Sequence, residues 1–243
     1  MLGRRACVER RATREPATSH QSGHTRAITP PTSVGAGSVT ITGVRLGVAD
    51  HLGWAVAVTA AADHAVVDRR RIELVEDGLS AAPIHYQRGR LDIAATAALV
   101  ATVRASAVRA CSAALDDLAA ALPAPVISIS LRFWPPDFPA DIAVQRRAPY
   151  EARADAIMYR ELLAELAHAR GWEVHCYDAK HVEAQAADVL GERAEKVLRG
   201  PGATLGPPWT RDHRVALAAT VVAGDGMTRR PRRGSLRDAT PTG

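Results

Sequence analysis

The chain has 243 residues, 31 Lys and Arg against 26 Asp and Glu, and 47% apolar residues. That length allows one domain, or one domain with tails, and the apolar content excludes a wholly disordered chain. The net charge of +5 would ordinarily suggest an anionic partner, but it is unevenly spread. Residues 1–38 carry six arginines against Glu9 and Glu15, a net of +4, and residues 224–243 carry five arginines against Asp225 and Asp238, a net of +3. The middle, 39–223, is therefore left at −2. The ends are rich in Pro, Ser, Thr and Gly without apolar periodicity, so they read as disordered basic tails. The middle reads as the folded domain.

Lys180 and Lys196 are the only lysines, a bias expected of a GC-rich, bacterial coding sequence. Cys7, Cys111 and Cys176 are widely spaced and form no CxxC pattern, so neither a disulfide framework nor a zinc site is readable. The reading is of a cytoplasmic protein without a secretory leader or a membrane span, because no run of about 18 consecutive apolar residues occurs.

In chain order, Val44 to Val48 predicts a first strand and Asp50-His51-Leu52-Gly53 a tight connection. Trp54 to Thr59 alternates large and small residues, as a strand does. Ala65 to Val75 predicts a third strand, completing an antiparallel meander. Leu91 to Leu122 is alanine-rich and free of Gly and Pro, which predicts a long helix capped by Asp92 and ended by Pro123 and Pro125. Val126 to Leu131 is a fourth strand, and the proline-rich stretch 132–149 reads as irregular. Glu151 to Arg170 is a helix ended by Gly171, and Trp172 to Tyr177 a fifth strand. Asp178 to Leu198 is a helix broken near Gly191. A loop spans Gly200 to Pro208, and a last helix runs from Trp209 to Ala223 with Thr210 as its cap.

This β-β-β-α-β-α-β-α order predicts an α/β fold with a mixed five-stranded sheet and helices on both faces. It resembles the ribonuclease H-like fold. Leu46-Gly47-Val48-Ala49-Asp50 followed by Gly53-Trp54-Ala55-Val56 looks like the opening of RuvC-type Holliday-junction resolvases. Tyr177-Asp178-Ala179-Lys180 is similar to that family's turn into a later helix, and Arg211-Asp212-His213-Arg214 to its final helix. The resemblance implies a divalent-metal-dependent nuclease or resolvase relative acting on DNA or RNA. Asp50, Asp212 and Asp178 would hold Mg2+ or Mn2+, and Asp50, Asp212 and His213 would form the catalytic set. His51 is a further ligand or proton carrier on this reading.

Three features depart from the family pattern. Ala49 intervenes before Asp50, and a one-residue shift in a strand turns a side chain to the other face. The fourth strand offers Ser128 and Ser130 where a carboxylate is expected, and Val215 stands three residues after Asp212. They carry an alternative: a non-catalytic, degenerate nuclease fold that binds nucleic acid or protein. A nucleotide-binding relative of the sugar kinases is a third reading, disfavoured because those proteins close two such domains around the nucleotide. In the run Asp68-Arg69-Arg70-Arg71, Arg69 and Arg71 share a strand face and, with Lys180, are candidate phosphate contacts. The competing account is an edge strand protected by charge.

Overall fold

The structure, a computed structural model, describes residues 43–86 and 89–228. The predicted N-terminal tail and most of the predicted C-terminal tail lie outside the described residues.

Strands β1 (Val44–Asp50), β2 (Trp54–Ala60) and β3 (Val66–Glu73) form the expected antiparallel meander. Strand β4 (Val126–Arg132) pairs parallel to β1, and β5 (Glu173–Tyr177) parallel to β4. The sheet order is β3-β2-β1-β4-β5. Strands β1, β4 and β5 therefore end along one edge of the sheet, called here the carboxyl edge.

Strand alternation divides the side chains between two layers. Leu46 and Val48 of β1, Ala55 and Ala57 of β2, and Ile129 and Leu131 of β4 enter one core. Helix α1 (Ile93–Ala121) covers this core with Val103, Ala107, Cys111 and Leu115, and α3 (Glu151–Ala169) covers it with Ile157, Leu162 and Leu163. The four-residue spacing along α1 places its buried residues on one stripe. Burial pushes the Cys111 thiol up to about 12, so it behaves as a small apolar filler. By length and mean hydropathy α1 could also cross a membrane, although its charged residues interrupt any continuous apolar run. The opposite face of the sheet, through Ala49, Val56, Val58 and Ala60, packs on α4 (Val182–Leu190) and α7 (Arg211–Thr228).

Helix α7 lies unusually close to β1. A Cβ on Gly47 would sit 1.9 Å from the Ala216 carbonyl oxygen, so only glycine fits there. Ser130 reinforces the contact by donating to the Ala219 carbonyl at 3.3 Å.

Local capping works as the sequence predicts. Asp92 accepts from the Ala95 amide at 2.7 Å, and Gly191 ends α4 at φ 57°. A 3-10 turn (Gly191–Arg193) and α5 (Ala194–Leu198) follow it. Two short helices, α2 (Ile142–Gln145) and α6 (Pro201–Leu205), occupy stretches read as irregular. Asp141 caps α2 through the Ala143 amide at 2.7 Å, and α6 carries proline in its first turn, where the missing donor costs nothing. Helix α7 continues past Ala223 because Gly224 does not break it. There a Cβ would lie 3.2 Å from Arg45 Cζ, so glycine makes room for a side chain below. Asp155, buried on α3, accepts from the Ile84 and His85 amides at 3.1 and 3.0 Å and pins the segment after β3. Burial raises its pKa.

Candidate functional site at the carboxyl edge

Asp50 ends β1 and continues the Leu46–Val48 row, so it turns toward α3. Its side chain is 2% exposed, and Oδ2 accepts from Arg160 Nε at 2.8 Å. Arg132, at the end of β4, brings its Nε within 3.8 Å of Oδ1, which accepts no hydrogen bond. Arg160 also donates to the Phe133 carbonyl at 3.4 Å, tying α3 to the end of β4. Tyr177, ending β5, donates its hydroxyl to the Val48 carbonyl at 2.7 Å, and burial raises its pKa. The buried carboxylate is thus compensated by guanidinium, the arrangement that low-dielectric burial of a charge demands.

His51 is one residue further on and points the other way. Its ring stacks on Trp54 with centroids 4.1 Å apart and planes at 10°. Its Nε2 lies 3.0 Å from Asp212 Oδ2 on α7. The side chains are 37% and 32% exposed, so this imidazole–carboxylate pair meets solvent. Arg71 places its guanidinium over the same indole, 4.2 Å from the centroid, while pairing with Glu73 at 2.6 Å. The β2–β3 register puts Arg71 opposite Val56, on the α7 side of the sheet. Arg71, Trp54, His51 and Asp212 therefore form one connected group.

Of the residues Asp50, His51, Asp212 and His213 named from the sequence, the structure brings His51 and Asp212 together. Asp50 and Asp212 each have a separate partner. Strand alternation accounts for this: Ala49 faces α7, Asp50 turns to α3, and His51 just past the strand end turns back to α7.

His213 is buried and serves its own helix. Its Nδ1 accepts from the Thr210 amide at 3.2 Å and lies 2.9 Å from Thr210 Oγ1. Burial, with Arg69 nearby, holds its pKa below the ordinary value, as an accepting, neutral Nδ1 requires. At the predicted Thr210 cap the contact thus runs from Thr210 to the His213 ring. Asp178 is exposed, and both its oxygens are engaged: Oδ1 by the Lys180 amide and Oδ2 by His181 Nδ1, each at 2.8 Å. Those bonds lower its pKa and shape the entry to α4. Lys180 is exposed at the carboxyl edge. The Arg69 guanidinium donates to the carbonyls of Leu205 (2.7 Å), Gly206 (2.9 Å), Pro207 (3.4 Å) and Pro208, and lies 5.9 Å from the Trp209 ring centroid. It clamps the loop between α6 and α7.

Arg160 and Arg132 escaped the sequence reading. Arg160 stands within the helical pattern of α3 with no local cue to a partner 110 residues away. Among the described residues, no three His, Cys, Asp or Glu side chains gather as a metal-holding group. No protein-family model matches the chain, and no curated protein sequence matches it.

Proposed function

We propose that the chain is a ribonuclease H-like domain that binds nucleic acid without cleaving it by two-metal chemistry. The element order and the β3-β2-β1-β4-β5 sheet support the fold assignment. The observation that carries the functional reading is the Asp50–Arg160 pair, 2.8 Å long on a carboxylate that is 2% exposed. Two-metal cleavage needs carboxylates converging on divalent cations. Here Asp50 faces two guanidiniums, β4 offers serines, Asp212 holds an imidazole, and Asp178 has spent both oxygens on its own turn. That donor set does not fit a two-metal centre.

The surface left for DNA or RNA is the Trp54–His51–Arg71 group with Lys180 on the same edge of the sheet. An aromatic ring beside a guanidinium suits a base and its phosphate. The half-exposed His51–Asp212 pair favours one second reading, metal-free acid–base chemistry at that surface.

Fluorescence anisotropy with labelled single-stranded DNA and RNA, run on the full chain over a salt series, tests both readings. Arg71→Ala with Lys180→Ala is expected to weaken binding and reduce the salt slope by about 1 for each phosphate-contacting cation. Unchanged affinity and slope would refute this surface. Intact probes after incubation support the binding module. Cleavage lost in His51→Gln but retained in chelator supports the second reading.

A further inference from the structure

Helices α1 and α3 both start at the carboxyl edge, in the layer opposite α7, because α1 leads into β4 and α3 into β5. The segment between β3 and α1 meets the turn before α3 there. Arg146 joins the two by donating to the Leu91 carbonyl. The carbonyl of Arg147 accepts from the Tyr150 and Glu151 amides at 2.8 and 3.2 Å, which sets Arg147 at the entry to α3. Arg153 stands in the first turn of that helix.

Arg90, Arg147 and Arg153 are exposed. Among the described residues, none of the three side chains pairs with a carboxylate. Other arginines at the surface are tied down: Arg71 by Glu73, Arg104 by Glu165, Arg109 by Glu76 and Arg199 by Glu195. A guanidinium outside any ion pair keeps its donors for a ligand, and its planar fork suits phosphate. The carboxylates nearby are turned to the backbone. Asp92 and Asp141 each accept from an amide at 2.7 Å, and Asp155 accepts from two. Glu151 is buried, with an interaction of its own.

Tyr86 belongs to the same surface. At 58% it is the most exposed large apolar side chain among the described residues, and its ring tilts against that of His85 at 5.6 Å. The backbone beneath it is fixed. Asp155 on α3 holds the Ile84 and His85 amides, the Tyr86 amide donates to the Ala82 carbonyl at 3.0 Å, and the Tyr159 hydroxyl donates to the Ala81 carbonyl at 3.0 Å. Ile84 plugs the core at 2% exposure. An aromatic ring held out on an anchored backbone offers its face to a ligand at little ordering cost.

We propose that Tyr86, Arg90, Arg147 and Arg153 form a second nucleic-acid contact, which takes a single strand. Tyr86 stacks on a base, and the arginines hold the backbone phosphates on either side. Single-stranded nucleic acid is the ligand because a ring face stacks on an unpaired, splayed-out base. The proposal rests on the nucleic-acid reading of the chain and extends it to the layer opposite His51, Trp54 and Arg71.

The test is fluorescence anisotropy on the full chain over a salt series, with a labelled oligothymidine strand and a DNA duplex of matched length. Arg147→Gln with Arg153→Gln should flatten the salt dependence on the single strand by about 0.7 for each lost phosphate contact. Tyr86→Ala should weaken single-strand binding by about 5–150-fold and leave duplex binding unchanged. Wild-type binding that falls in Arg71→Ala with Lys180→Ala, but in neither variant made here, would overturn the second contact and leave the first surface standing. The reverse pattern would support this contact and remove the first. Equal affinity and slope in all four proteins would place binding on arginines outside the described residues and overturn the proposal. No binding by the wild type would overturn both readings.

Discussion

Replacing Arg160 by methionine keeps most of the side-chain volume and removes the charge that compensates Asp50. The carboxylate is 2% exposed and its partner 11% exposed, at 2.8 Å, so water cannot readily replace the guanidinium. Breaking a buried pair from one side costs about 3–5 kcal/mol. Arg132, 3.8 Å from the other oxygen and 33% exposed, retains part of the compensation, so about 3 kcal/mol is expected for Arg160→Met. That is a large share of the ~5–15 kcal/mol available to a typical domain. Adding Asp50→Asn removes the stranded charge, and the double variant should recover about 1.5 kcal/mol or more. The coupling read from a double-mutant cycle should then exceed about 1 kcal/mol. Urea unfolding, with the midpoint and slope compared across the four proteins, measures it. A single-variant cost below about 1 kcal/mol, or additive effects, would refute the claim that Arg160 neutralises Asp50.

Gly47→Ala would force a methyl group to within 1.9 Å of the Ala216 carbonyl and should cost about 3 kcal/mol or more, seen as a fall in melting temperature. An unchanged melting temperature would contradict the close approach of α7. Arg69→Ala should release the loop between α6 and α7. Amide hydrogen exchange from Gly202 to Trp209 is expected to quicken about tenfold, equivalent to about 1.4 kcal/mol, with the sheet unaffected; unchanged exchange would remove the clamp from the account. The pKa of His213 is lowered by burial and by Arg69, so between its folded value and the unfolded value of about 6.5 the unfolded chain binds more protons. Stability should therefore rise with pH across that window and be lost as pH falls through it. His213→Gln should flatten this dependence of the urea midpoint, and an unflattened profile would show that His213 is not its source.

The sheet was legible because its strands alternate and Gly53 marks the first turn, and α1 because a long alanine-rich run is bounded by Asp92 and two nearby prolines. The short helices α2 and α6 were not, since four or five residues hold too little periodicity to separate from a proline-rich loop. The one-residue displacement of Asp50 could be seen in the sequence, and it is what turns the carboxylate to α3 and brings His51 to Asp212. Arg160 could not be assigned a partner, because a lone arginine within a helical pattern looks the same whether it faces water or a buried carboxylate. Arg69 and Arg71 read as equivalent on one strand face. Only the three-dimensional path of the loop after α6 separates the arginine that clamps carbonyls from the one that stacks on Trp54.

The central proposal is that Asp50 is paired with Arg160 and holds no catalytic metal. A manganese titration of the full chain by calorimetry, beside Asp50→Asn, tests it most directly, since manganese binds such oxygen and nitrogen sites more tightly than magnesium does. The same heats are expected for both proteins, with no saturable binding that depends on Asp50. Saturable binding in the wild type that Asp50→Asn abolishes would contradict it and return the site to metal-dependent nuclease chemistry.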